Sequence, residues 1–204
     1  GDITYQITLP NVLRTFNSKL VGQSFGVGQA WYWPVAQFNV AVPGSVSIDL
    51  PEQAEVLVKR LKEHTDVVDF ENDWKLITIF IGGNDLCAEC KDKDKYSADN
   101  WHKNIHTAIK ILHDNLPRVI LNLVGVLNDE LLRGVEEGHW FCNVMHQTLC
   151  KCVADKSNDQ DYFNKVVSAY QAKEELLQAS GEFERDDFTV VLQPFMMETN
   201  TLPR

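Results

Sequence analysis

The chain reads as an α/β domain built on a parallel sheet, and three observations lead there. Short apolar runs of strand length alternate with amphipathic stretches at helical spacing, the order that right-handed β-α-β crossovers demand. One such run, Trp74 to Ile81, passes straight into Gly82-Gly83-Asn84-Asp85. A strand ending in small residues and an amide places that amide at the carboxyl edge of a sheet, where α/β folds bind ligands. The 204 residues are 44% hydrophobic and include 5 Trp, enough for one buried core, so residues 1–204 are read as a single domain.

The elements follow in order. Thr8 to Lys19 is predicted helical, with Pro10 in the first turn and Leu9, Val12, Leu13 and Phe16 along one face. Val21 to Val27 is read as a strand. The aromatic loop Trp31-Tyr32-Trp33-Pro34 leads into a short strand over Gln37 to Val42, which stops at Pro43-Gly44. Asp49 or Leu50 caps a helix with Pro51 and Glu52 in its first turn, and Ala54, Leu57, Val58 and Leu61 recur on its buried side. Leu76 to Ile81 is a strand. Ser97 starts a helix burying Trp101, Ile105, Ala108, Ile109 and Leu112, and Pro117 punctuates its end. Strand Val119 to Val124, a short helix near Asn128 to Glu136, a long helix from Gln160 to Ala179 and strand Phe188 to Gln193 complete the series. No internal repeat, low-complexity tract or linker interrupts it.

Charge and cysteine usage bound the setting. Lys and Arg number 19 against 29 acids, a formal charge of −10 that argues against nucleic acid as a partner. No run of about eighteen apolar residues occurs and no basic-then-apolar leader precedes Gly1, so the chain as it stands is expected neither to span a membrane nor to carry its own export signal, with processing accounting for a lost signal or anchor. Cys87-x-x-Cys90 and a second cluster of Cys142, Cys150 and Cys152 predict disulfides and an oxidising compartment, with connectivity open and one of the 5 cysteines left over. A Cys-x-x-Cys with a Cys-x-Cys is poor spacing for zinc. A thioredoxin-like motif should open a helix, whereas the charge run Lys91 to Lys95 follows Cys90.

The chemistry centres on Asn84. An amide N–H at that edge can meet an oxygen that gains charge in a transition state, an interaction worth about 3–4 kcal/mol; the plainer role is an Asn that caps a turn. A second segment, Asn39-Val40-Ala41-Val42-Pro43-Gly44-Ser45, also runs off a strand into a glycine whose backbone N–H can approach the same oxygen. Gly22-Gln23-Ser24-Phe25-Gly26 matches the nucleophile-elbow pattern, but the residues from Val27 to Pro34 do not supply the helix that pattern needs. His102 and His106, four apart on one helix, lack a third ligand and are read as a solvated or half-buried helix face, and Glu136-x-x-His139 sits in a loop-like polar stretch, so no metal or cofactor is expected.

These segments resemble a known family. Asn39-x-Ala41-x-x-Gly44 resembles the second block of the GDSL, or SGNH, hydrolases, and Gly82-Gly83-Asn84-Asp85 resembles the third. Leu9 to Leu13, Ala41 to Gly44, Ile81 to Cys90, Pro117 to Val124, Leu149 to Cys152 and Val190 to Phe195 look like the animal phospholipase B branch, in one consistent order. The resemblance implies a flavodoxin-like three-layer α/β/α sandwich with a central parallel sheet, and hydrolysis of phospholipids, lysophospholipids and related apolar esters. It implies Gly44 and Asn84 as oxyanion-hole donors, with Asn39, Gly82, Gly83 and Asp85 in support. The family's Gly-Asp-Ser block would lie upstream of Gly1 and its Asp-x-x-His block downstream of Arg204, so the fold is expected to be incomplete at both ends and the chain alone inactive.

Three functions fit that reading. In the first, the chain is the oxyanion-hole part of a serine esterase whose missing segments lie elsewhere, in companion chains or in the parent protein. That parent would be secreted or on the extracellular face of the plasma membrane, with any membrane contact through an anchor absent from this chain. In the second, a non-catalytic relative holds a lipid, retinoid or carotenoid in the acyl pocket, lined by Trp31, Tyr32, Trp33 and Phe38. In the third, the domain is purely structural or interacting.

Overall fold

Three parallel strands form the sheet of the computed structural model, which describes residues 7–129, 131, 140–155, 157 and 159–199; the side chains of residues 140–143 and 146 are outside that description. Strands β1 (Lys75–Ile79), β2 (Val119–Val124) and β3 (Phe188–Gln193) lie in that order, with Lys75 opposite Val119 and Val119 opposite Phe188. The helices are α1 (Leu9–Phe16), α2 (Trp33–Ala36), α3 (Leu50–Glu63), α4 (Gly83–Ala88), α5 (Ala98–Asn115), α6 (Trp140–Leu149), α7 (Lys151–Ala154) and α8 (Gln160–Ala179).

The long helices start where their sequences place them. Ser97 caps α5 by accepting from Asn100 N at 3.3 Å, and Asp159 caps α8 by accepting from Asp161 N at 2.9 Å. Trp101, Ile105, Ala108, Ile109 and Leu112 of α5 are all buried, as are Phe163, Val167, Tyr170 and Leu177 of α8. With α3 they cover one face of the sheet, whose Val119, Leu121, Leu123, Phe188 and Val190 complete the core. On the opposite face the alternate residues Leu76, Ile120 and Val191 remain exposed, as does Phe80 beyond β1. The described residues thus supply the sheet of an α/β sandwich and the helical layer on one side.

Two expected strands are absent. The segments 21–27 and 37–42 share one backbone hydrogen bond, Phe38 N to Gly22 O at 3.2 Å, while Phe25 N donates to Val35 O of α2 at 2.8 Å. Gly22 and Gly26, at φ 95° and 64°, and Gln37, at φ 51°, take left-handed conformations that interrupt an extended ladder. Helix α1 stops at Phe16, short of Lys19, and α4 replaces the expected loop at Gly83-Asn84-Asp85. The helix expected near Asn128 to Glu136 falls largely outside the described residues, as do Glu136 and His139.

Strand β1 has β2 on one side only among the described residues. Along its free edge runs a groove of about 1020 Å³, lined by Leu9 and Leu13 of α1, Leu57 and Leu61 of α3, and Leu76 and Ile77 of the strand. An unpaired apolar edge of this kind is a template for another strand.

Beneath the sheet's carboxyl end two acids are buried. Both Glu174 oxygens accept from Val126 N at 3.0 Å, yet burial pushes this carboxyl up to about 8. Burial alone pushes Asp129 up to about 7. Both folded values lie above those of an unfolded chain, about 4. The folded protein therefore holds protons that the unfolded chain has released, and the contribution of these two acids to stability is fully present below about pH 4 and lost as pH rises through 7 to 8. Glu174→Gln keeps an acceptor for Val126 N–H without the charge. Thermal melts are expected to show a higher Tm for the wild type at pH 5 than at pH 8, and a smaller difference in the variant.

Candidate functional site

Gly82 sets the geometry of the site. It leaves β1 at φ 128°, and a Cβ there would stand 2.8 Å from Val126 Cγ2 and 3.0 Å from Trp101 Nε1, so both conformation and space call for glycine. The turn lets α4 begin at Gly83, which carries Asn84 to the surface and Asp85 into the interior.

Those two neighbours grip one distant segment. The buried Asp85 carboxylate accepts from Ser47 N at 3.1 and 2.9 Å and from Ser47 Oγ at 2.6 Å. Asn104 Nδ2 donates to the same Ser47 oxygen at 3.0 Å. Asn84 Nδ2 donates to Ser45 O at 2.9 Å, and Gln53 Nε2 to Ser45 Oγ at 2.9 Å. Burial raises the Asp85 pKa, against the lowering effect of the Ser47 bonds.

Gly44 precedes this gripped segment. It stands exposed at φ 83° with nothing within 4 Å of the position a Cβ would take. The structure therefore brings Gly44 and Asn84 to one open edge, joined through Ser45. The amide of Asn84 has two N–H donors, and the Ser45 carbonyl engages one of them. Asn39 Oδ1 accepts from Ala41 N at 3.0 Å, which shapes the approach to Gly44, while its Nδ2 reaches Ser24 Oγ at 3.5 Å.

Arg60 was not foreseen from the sequence. From α3 its Nη1 donates to Gln37 O at 2.8 Å and Asn39 O at 3.2 Å, and its Nη2 donates to Ala30 O. One guanidinium thus gathers three carbonyls of the loop that leads to Gly44. Arg60→Ala is expected to cost about 2 kcal/mol of stability, since bonds to a charged donor are worth roughly 1.5–3 kcal/mol, and Arg60→Lys should restore little because an ammonium lacks the fork. Denaturant melts check both.

The four aromatics separate. Phe38 lines the groove, and Trp33 meets Phe38 edge-on at 5.2 Å and stacks on His64 at 3.4 Å. Trp31 and Tyr32 stand exposed and are not among the residues lining that groove. Ser24 has neither a strand before it nor a helix after it. His106 pairs with Glu182 at 2.9 Å.

The cysteines join α4 to the second cluster. Cys87 bonds to Cys150 and Cys90 to Cys152, across separations of 63 and 62 residues. The side chain of Cys142, expected in a disulfide, lies outside the described residues. Asp129 sits close by, with Oδ2 3.6 Å from where a Gly83 Cβ would be. A loop of about sixty residues gives about 4 kcal/mol of unfolded-state constraint, the second bond adding less because it closes nearly the same loop. Replacing all four bonded cysteines with alanine is expected to lower Tm strongly, checked by a calorimetric scan.

Two donors at one open edge can hold an oxygen as it gains negative charge. Among the described residues, the serines nearest that edge bond to Asn39, Gln53 and Asp85 and none to a histidine. Gly44 and Asn84 thus offer two hydrogen-bond donors at one edge, with no serine–histidine pair beside them among the described residues.

Comparison with known proteins places the chain in a family. The family model for GDSL-like lipase/acylhydrolase matches residues 4–203. The chain is 39% identical over 195 residues to membrane-associated phospholipase B1 of Rattus norvegicus, covering 93% of this chain and 13% of that protein. It is 39% identical over 201 residues to the Homo sapiens protein of that name, covering 96% of this chain and 14% of that one. The chain therefore spans about one seventh of the length of these curated relatives. No solved structure matches. A family match over nearly the whole chain, with the gripped Gly44 and Asn84 segments at the sheet edge, establishes that the chain belongs to the GDSL-like lipase/acylhydrolase family.

Proposed function

We propose that the polypeptide carrying this domain is a serine-dependent carboxylic ester hydrolase acting on phospholipids, lysophospholipids and related lipid esters. In this reading Gly44 and Asn84 supply two of its oxyanion-hole donors. The observation that carries it is the double grip of Asn84 on Ser45 and Asp85 on Ser47, which holds the two donor segments in one place. The groove along β1 supports a further step: a strand bearing the nucleophile seats on the free edge of β1, close to the turn at Gly82. Two disulfides support an oxidising compartment, secreted or on the outer face of the plasma membrane, and the matched relatives are themselves named as membrane-associated.

A fluorophosphonate probe tests the reading. The full-length polypeptide is expected to take the label on one serine, mapped by mass spectrometry outside residues 7–199, and to lose ester hydrolysis as it does. A polypeptide that takes no label and hydrolyses no ester contradicts it. The apolar groove favours a second reading, a carrier of an apolar ligand, which predicts instead that lipid extraction of the native protein recovers a bound molecule without any label.

A further inference from the structure

The loop between Ser24 and Phe38 projects apolar side chains that the groove does not use. Groove-lining residues run up to Ser24 and resume at Phe38, whereas Phe25, Val27, Trp31 and Tyr32 lie beyond it in solvent. Trp31 is 77% exposed and Val27 fully so.

The base of this loop is rigid. Phe25 N and Phe38 N bond across it to Val35 O and Gly22 O. Arg60 ties the carbonyls of Ala30, Gln37 and Asn39, and Trp33 lies flat on His64. The exposed tip is therefore presented by a built support.

Its charge pattern identifies the partner. From Leu20 to Ile48 there is no Asp, Glu, Lys, Arg or His, in a chain that is 24% charged. All 29 acids lie outside residues 3–48, and the cations that precede the loop are Arg14 and Lys19. Interfaces with proteins carry a polar, charged rim that fixes register, and this loop has none. Trp and Tyr beside an apolar tip within a segment that carries no acid match the boundary between lipid headgroups and acyl chains, where amphipathic rings settle.

We propose that residues 25–32 form a wedge that seats this domain on a phospholipid surface. From the wedge the chain passes through α2 to Asn39 and Gly44, so the wedge and the open edge of the site belong to one stretch of chain, and seating the wedge would bring that edge toward the bilayer from which a lipid ester would be drawn. The purpose assigned to the wedge rests on the lipid-ester reading above; the seating itself is measurable without catalysis.

The test is co-sedimentation of the full-length polypeptide with phosphatidylcholine–phosphatidylglycerol vesicles, alongside tryptophan quenching by brominated lipid. The wild type is expected to bind and be quenched. Val27→Asp is expected to weaken partitioning at least about tenfold, the loss of roughly two buried methylenes or more. Its melting temperature and its hydrolysis of a soluble short-chain ester should stay unchanged. Trp31→Ala should remove most of the quenching. Binding through the loop in a protein without esterase activity would sustain the wedge while defeating the esterase reading. The wedge is overturned if the wild type binds no vesicles, if V27D binds like the wild type, or if hydrogen exchange shows residues 25–32 already shielded in the lipid-free full-length polypeptide.

Discussion

Asn84→Ala is expected to lower kcat for ester hydrolysis by about 10²–10³-fold in the full-length polypeptide, the loss found when one oxyanion donor is removed, about 3–4 kcal/mol. KM should change much less, because the missing interaction strengthens only as charge develops on the carbonyl oxygen. The side chain is exposed at the first turn of α4, so the fold should survive, although the bond to Ser45 O is lost with it. Asn84→Asp separates the two roles. It matches the shape but turns a donor into a negative acceptor beside the developing oxyanion and the Ser45 carbonyl, and should be at least as damaging as alanine. Steady-state kinetics on a soluble ester, with circular dichroism melts as a control, decide the matter. Equal activity in all three proteins would remove Asn84 from the chemistry.

Asp85→Ala acts through position and should be felt in both stability and rate. It leaves the buried Ser47 N–H and Oγ without their carboxylate, and each unpaired buried group costs about 1–3 kcal/mol. A loss of about 3 kcal/mol is expected, which for a domain of this size lowers Tm by about 6–12 °C. Because Ser47 anchors the turn that follows Gly44, kcat should fall even at temperatures where the variant is folded. Asp85→Asn keeps one acceptor for Ser47 and should lie between the two. A rate unchanged in folded Asp85→Ala would mean that Gly44 keeps its place without the clamp.

Much of this was legible because local patterns and tertiary packing agree. Ser97 followed by Trp101, Ile105, Ala108, Ile109 and Leu112 is a cap and a stripe, and the structure buries that stripe against the sheet. The run Val119 to Val124 was a strand on both grounds, and α8 begins and ends at the residues its sequence predicts. Segments 21–27 and 37–42 misled because extended residues become a strand only when a partner supplies the ladder, and left-handed Gly22, Gly26 and Gln37 deny them one. The Gly-Gly-Asn-Asp turn was visible as a site, but the start of α4 was not, since six residues are too short to show a helical period.

The contacts that assemble the site were illegible for a different reason. Arg60 bonds to Ala30, 30 residues away, and Asp85 to Ser47, 38 residues away. No local propensity encodes such a partner. The disulfide pairing was hidden in the same way: each cysteine of Cys87-x-x-Cys90 takes its partner from the Cys150–Cys152 cluster, because α7 packs on α4. Asp129 became notable only once burial beside Gly83 and Cys87 was known, and with it the push to about 7.

The central claim is that Gly44 N–H and the free N–H of Asn84 receive the oxyanion. A crystal structure of the full-length polypeptide after reaction with a fluorophosphonate measures this directly, because the phosphonyl oxygen stands where the oxyanion would form. The account predicts that oxygen within about 2.7–3.1 Å of both Gly44 N and Asn84 Nδ2. A phosphonyl oxygen held by other donors, with Asn84 still turned wholly to Ser45, would contradict it.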